Sequence, residues 1–198
     1  MQALWLAVAG PSVAVALLSG CERPASKPSF KAVDLSGADY ARQLDLTDAQ
    51  GQARTLADFR GKLVFVFFGY TQCPDVCPTT LATLAEVMKQ LGDQADRVQV
   101  IFVTVDPERD TPEILREYVA AFDPRFIALR GTGEAFDRVR KEFRLVVQKN
   151  KGPSEQSYTV DHTAAAYVLD AQGRPRLYVR HQTPAADISA DLRILLSS

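Results

Sequence analysis

Cysteine and histidine are scarce in this chain, with three of the former and two of the latter among 198 residues. So few cysteines exclude a scaffold built on disulfides. No basic stripe runs through the sequence and the formal net charge is −1, which argues against a nucleic-acid partner. Internal repeats are absent as well, so the chain is not an array of stacked units. Residues Met1 to Gly20 contain no Lys, Arg, Asp or Glu and are dominated by Ala, Val and Leu, ending in Leu18-Ser19-Gly20-Cys21. Small residues directly before a cysteine predict a lipoprotein signal over residues 1–20, with Cys21 becoming the acylated first residue of the mature chain. The usual basic residue near the start is missing, so the α-amino group alone supplies positive charge there. An uncleaved membrane anchor is the rival reading, because roughly 20 apolar residues can span a bilayer. Pro11 and the small residues before Cys21 favour cleavage. Both readings make the protein exported and membrane-attached, facing the periplasm or another extracytoplasmic side.

Residues 21–39, rich in Pro, Ser, Lys and Ala, read as a flexible linker. Residues 40–198 are long enough for one domain with a sizeable core. Gln43–Leu46 and Ala53–Leu56 flank Asp48-Ala49-Gln50-Gly51, the pattern of a hairpin turn. Leu63–Phe68 is a continuous apolar run, as expected of a strand buried on both faces, and Val98–Val105 reads as a second buried strand. Between them Leu81, Leu84, Ala85, Met88 and Leu91 recur at helical spacing. Thr111-Pro112-Glu113 supplies an N-cap, an N1 proline and a first-turn acid for a helix to about Phe122. A strand at Phe126–Leu129 and a helix at Glu134–Phe143 follow. A polar insert between Leu145–Gln148 and Ser157–Val160 predicts a protruding hairpin, near residues 145–160. Two strands, Ala164–Leu169 and Arg176–Arg180, precede a last helix opened by Thr183-Pro184. This order predicts an α/β domain with a mixed central sheet flanked by helices, on the thioredoxin-like plan.

The first buried strand runs straight into Gly69-Tyr70-Thr71-Gln72-Cys73-Pro74-Asp75-Val76-Cys77-Pro78. At i, i+4 spacing on a helix or helix-like turn, two cysteines share one face with Cβ atoms about 5–6 Å apart. That separation suits one shared metal ion, and it lies near the range in which a disulfide closes. Cys73 is expected near a helix N-terminus, where amide groups and the dipole favour thiolate. His162 precedes the strand Ala164–Leu169, in a loop that a thioredoxin-like sheet turns toward the cysteine helix. It can be a third ligand beside Cys73 and Cys77, or a hydrogen-bonded loop residue. Two thiolates and an imidazole suit Cu(I), whereas zinc usually takes a fourth ligand and none is obvious. His181 has no matching partner and reads as a surface residue. Three acids are candidate supports: Asp75 between the cysteines, Asp106 at the strand end or capping the Pro107 turn, and Asp161 beside His162.

Four stretches then carry a resemblance: Phe68–Pro78, Val103–Pro112, Tyr158–Thr163 and the closing strands. Together they resemble the Sco/SenC family of copper-binding, thioredoxin-like assembly proteins, over about Leu44 to Leu196. The resemblance implies copper ligands at Cys73, Cys77 and His162. It also implies attachment to the membrane and a role in building the dinuclear copper centre of cytochrome c oxidase. Such a protein passes copper to the oxidase's copper-binding subunit, or reduces that subunit's cysteines, and takes copper or electrons from a donor or thiol reductant. A copper chaperone without turnover and a thiol-disulfide oxidoreductase therefore remain two functional readings of one dithiol. The x3 spacing departs from the x2 usual in thioredoxins. A peroxiredoxin-like peroxidase is disfavoured, because Thr71 stands two residues before Cys73 and no proline precedes it.

Overall fold

Strand β4, Leu63–Gly69, is buried along its whole length and organises the domain in a computed structural model that describes residues 28–152 and 157–197. Its side chains alternate between two cores, as the two-residue period of a strand requires. Phe65 and Phe67 enter one cluster, while Val64, Val66 and Phe68 enter the other. Full burial of each such side chain stabilises the fold by roughly 1.5–3 kcal/mol. That is why a run with no polar position is confined to the middle of the sheet.

The strands are β1 (Val33–Asp34), β2 (Leu46–Asp48), β3 (Ala53–Arg54), β4, β5 (Val98–Thr104), β6 (Ile127–Arg130), β7 (Val147–Asn150), β8 (Thr159–His162), β9 (Ala165–Leu169) and β10 (Pro175–Arg180). The helices are α1 (Val76–Leu91), α2 (Pro112–Ala120), α3 (Gly133–Glu142) and α4 (Ala185–Leu196). Eight strands form one sheet in the order β1-β10-β9-β4-β5-β6-β2-β3. β4, β5 and β6 run parallel, while β9 and β2 pair antiparallel at either side of that block. Buried residues of α1, α2 and α4 cover one face. Val139 of α3, Phe143 and the Leu44–Phe59 segment cover the other.

Three features depart from the sequence expectations. Residues 31–36, expected as linker, lie on the domain: β1 pairs with β10, and the Lys31 and Ala32 amides donate to the buried Asp191 carboxylate at 2.9 and 2.8 Å. Thr183 does not cap α4; Pro184 occupies the N-cap, and the Thr183 hydroxyl donates instead to the Arg180 carbonyl at 2.8 Å. The predicted hairpin of the insert, β7–β8, forms a separate two-stranded sheet. His162 is its last residue, paired with Val147, and therefore lies in a strand rather than in a loop. Among the described residues no helix is long and apolar enough to cross a membrane. The predicted signal segment and Cys21 lie outside the described residues.

Candidate metal and dithiol site

The site begins where β4 ends. A Cβ on Gly69 would lie 2.7 Å from Cys77 Sγ and 2.8 Å from Phe102 Cε2, so only glycine lets the second cysteine pack this close to the strand. Beyond it Tyr70 is buried and its carbonyl accepts the Cys73 amide at 3.2 Å, turning the chain back toward α1. Cys73 stands three residues before the helix and is partly exposed. Cys77 lies inside the first turn of α1 and is fully buried among the residues of the first core.

The helix start therefore does not activate Cys77. Burial pushes the Cys77 thiol strongly up, the Tyr70 backbone hydrogen bond opposes this, and the adjacent Cys73 adds to the rise. Desolvation wins over the favourable helix terminus, because a thiolate in an apolar core loses its hydration. The two cysteines are free, with no disulfide between them. The result is an asymmetric pair, one sulfur reachable and one sheltered.

His162 shares with Cys73 a cavity of about 270 Å³, which Tyr70, Asp75 and Val160 also help to line. The imidazole Nδ1 lies 3.0 Å from the Val160 carbonyl. A carbonyl only accepts, so Nδ1 carries the hydrogen and Nε2 of the neutral ring is left as an acceptor. Nε2 is buried and without a hydrogen-bond partner among the described residues. An orphaned buried acceptor costs about 1–3 kcal/mol, and such a lone pair is what a metal ion uses. The Tyr70 ring stands edge-on to the imidazole with centroids 5.9 Å apart. Two expected donors, Cys73 and His162, thus share one cavity, and the third, Cys77, sits behind Cys73 in the core. Among the described residues no three His, Cys, Asp or Glu side chains converge as a ready-made metal cage. The donor chemistry nevertheless fits a soft ion: two free thiols one helical turn apart in sequence and one imidazole nitrogen without a hydrogen-bond partner among the described residues.

Of the three acids, only Asp106 is buried. Asp75 is exposed at the N-cap of α1 without capping it, and accepts the Thr79 hydroxyl at 3.3 Å. Asp161 is exposed, and the Val160 carbonyl rather than this carboxylate orients the imidazole. Asp106 is fully buried and does two things at once. Its carbonyl accepts the Arg109 and Asp110 amides, which closes the Pro107 turn. Its carboxylate accepts the Tyr158 hydroxyl at 2.6 Å and the Arg109 Nε. His181 is partly buried rather than on the open surface. It lies 3.5 Å from the Thr80 hydroxyl and lines a different cavity, between α1 and the ends of β9 and β10.

Sequence reasoning missed Asp110. It is fully buried, and its carboxylate accepts the Thr71 hydroxyl at 2.6 Å, the Thr71 amide and the Thr104 hydroxyl. Burial raises its pKa against those hydrogen bonds. Arg109 and Tyr158 were missed too. The available signal was the charged run Asp106-Pro107-Glu108-Arg109-Asp110 directly after a mostly apolar strand.

A family model described as SCO1/SenC matches residues 33–197. The chain belongs to that family. Relatives within it include the mitochondrial SCO2 homolog of Bos taurus, 38% identical over 150 residues. That match covers 75% of this chain and 56% of the relative, so the chain spans little more than half the length of this curated relative. Among solved structures, Bradyrhizobium japonicum ScoI with copper bound is 38% identical with a TM-score of 0.72, covering 79% of this chain and 99% of that one. A SCO1/SenC family lipoprotein from Bacillus anthracis is 25% identical with a TM-score of 0.68, covering 83% and 99%. The thioredoxin-like fold expected from the order of elements is thus the fold of this family.

Proposed function

We propose that this protein is a membrane-tethered copper carrier that assists assembly of the dinuclear copper centre of cytochrome c oxidase. Cys73, Cys77 and His162 hold the ion, and the oxidase's copper-binding subunit receives it. The observation that carries this reading is the orphaned Nε2 of His162, a residue that lines one cavity together with Cys73. Copper bound to the ScoI relative supports it from outside. Cu(I) tolerates low coordination by soft donors, so two thiolates and one imidazole are a sufficient set. Cys21 as the lipid anchor is part of the same reading, supported by the lipoprotein relative.

The test uses the full chain. Reduced protein binds one copper per chain, and protein carrying a Cys73–Cys77 disulfide binds none, because a disulfide has no thiolate to donate. His162→Ala loses several kcal/mol of copper affinity, since removal of one ligand in three leaves an incomplete site with no nearby replacement. Cysteine titration and disulfide reduction stay as in the parent. His181→Ala, in its separate cavity, binds copper like the parent. Equal copper affinity of the two histidine variants would overturn the dithiolate–imidazole site.

The asymmetry of the cysteine pair favours a second reading, reduction of a partner's copper-site disulfide. Cys73 attacks one partner sulfur to form a mixed disulfide and releases the other as thiolate. Cys77 then closes the Cys73–Cys77 bond and frees the second partner thiol. Two electrons pass to the partner, which is reduced as this pair is oxidised. Rapid reduction of the oxidised copper-site subunit by a His162→Ala variant that no longer holds copper would select this reading.

A further inference from the structure

The element that carries His162 is joined to the domain in an unusual way. β7 and β8 share no backbone ladder with the eight-stranded sheet. An isolated two-stranded hairpin is marginally stable in water. Its own base is closed by the Thr163 amide on the Val146 carbonyl and the Val146 amide on the Thr163 hydroxyl, both at 3.1 Å, but these bonds join the hairpin to itself. Val160 anchors one side chain in the second core. Val147 and Tyr158 pack against the same core, and the Tyr70 ring stands against His162. Further polar attachment comes from the segment Asp106–Asp110.

There Asp106 is a buried carboxylate gripped from two elements. The Tyr158 hydroxyl, at the foot of β8, donates to Oδ1 at 2.6 Å, and Arg109 Nε donates to Oδ2. Arg109 Nη1 also donates to the Tyr158 carbonyl at 2.9 Å, with its guanidinium carbon 3.6 Å from the centre of the Tyr158 ring. The same guanidinium lies 5.7 Å from the centre of the Tyr70 ring, whose edge-on neighbour is His162. Lys149 of β7 adds an ion pair to Glu108 at 2.7 Å, too exposed to contribute much. At the far end of the segment, Asp110 holds the amide and hydroxyl of Thr71, two residues before Cys73. Five consecutive residues therefore bind the cysteine loop with one end and the histidine hairpin with the other.

We propose that segment 106–110 is a clasp that sets the position of His162 relative to the cysteine pair, with Tyr158 as its positioning residue. The proposal rests on the reading of His162 as a copper ligand. Tyr158 touches neither the cysteines nor the imidazole; it acts by fixing β8, four residues before the ligand. A role confined to global stability predicts a different result, so the two separate cleanly.

The experiment compares Tyr158→Phe with the parent chain, alone and combined with His162→Ala, and reads Cu(I) affinity against a competing chelator. Tyr158→Phe keeps the ring under Arg109 and deletes only the donor to Asp106. It weakens copper binding about tenfold, the lower range for losing a residue that orients a ligand. The disulfide reduction equilibrium is unchanged. In the His162→Ala background the same substitution adds no further loss, because the ligand it positions is gone. Parent-like affinity in Tyr158→Phe, or an equal loss in both backgrounds, overturns the clasp. Amide hydrogen exchange on protein prepared without copper gives a readout independent of the metal. Exchange in β7–β8 accelerates in Tyr158→Phe while β4 and β5 keep their protection. Unchanged exchange in the hairpin overturns the clasp whatever copper does. Parent-like copper affinity in His162→Ala instead defeats the ligand assignment, with the exchange data still deciding whether the clasp exists.

Discussion

At the scale of single residues, Gly69 has the narrowest tolerance. Its backbone is extended rather than left-handed, so the requirement is space and not conformational freedom. An added methyl would meet Cys77 Sγ and the Phe102 ring below 3 Å, and both neighbours are buried in the same core. Gly69→Ala therefore costs about 1–3 kcal/mol by overpacking, measured as a lower denaturant midpoint with unchanged slope. It also displaces Cys77, so copper affinity falls together with stability. The same scale shows how one nitrogen is left open: the Val160 carbonyl takes the Nδ1 hydrogen, and Nε2 has no hydrogen-bond partner among the described residues. That bond comes from backbone two residues away, and no neighbouring charge is needed to set the tautomer.

At the scale of elements, the edge of the sheet depends on one buried acid. Asp191 of α4 accepts the amides of Lys31 and Ala32, directly before β1, and so ties the N-terminal segment to the last helix. Asp191→Ala leaves those amides without their charged acceptor and is expected to cost about 1.5–3 kcal/mol. Limited proteolysis checks it: cleavage within residues 31–36 becomes faster, while cuts elsewhere do not. Neither Asp191 nor residues 31–36 line the cavity shared by Cys73 and His162, so copper affinity is expected to stay as in the parent. The β7–β8 hairpin is the opposite case, an element whose hydrogen-bond ladder is entirely its own and whose placement rests on side chains.

At the scale of the whole molecule, the domain presents a cavity with one reachable thiol and one imidazole, and the chain before it is read as a lipid tether. A protein that hands an ion to a membrane-bound subunit gains from being held near that surface, since a tether replaces free diffusion by a high effective concentration. Cys21→Ser should release the protein from membranes in detergent-free lysate while copper binding by the soluble form stays intact. Continued sedimentation with membranes would point to an uncleaved apolar helix in place of the lipid.

Much of this was legible in the sequence because it rests on local chemistry. The apolar run Leu63–Phe68 and the largely apolar Val98–Val105 have strand length and form buried strands, and Leu81, Leu84, Met88 and Leu91, at helical spacing, face a core as a helix. Thr111 caps α2 as its position before Pro112 requires, accepting the Ile114 amide at 3.3 Å. The cysteine pair and His162 stood out by residue type and motif. What the sequence did not show is every relation that spans distant segments. Cys77 is driven toward the neutral thiol by a core assembled from α2, α4 and β5, which no helix-terminus argument contains. Residues 31–36 look like linker by composition, yet Asp191, 160 positions after Lys31, holds them in place. Tyr158, Asp106 and Arg109 are ordinary residues until the hairpin folds back and a buried carboxylate needs donors. Periodicity and motif thus decided which residues form each element and which carry reactive atoms. Burial and long-range hydrogen bonds, which exist only once the chain has closed on itself, decided how those atoms are charged and where they are held.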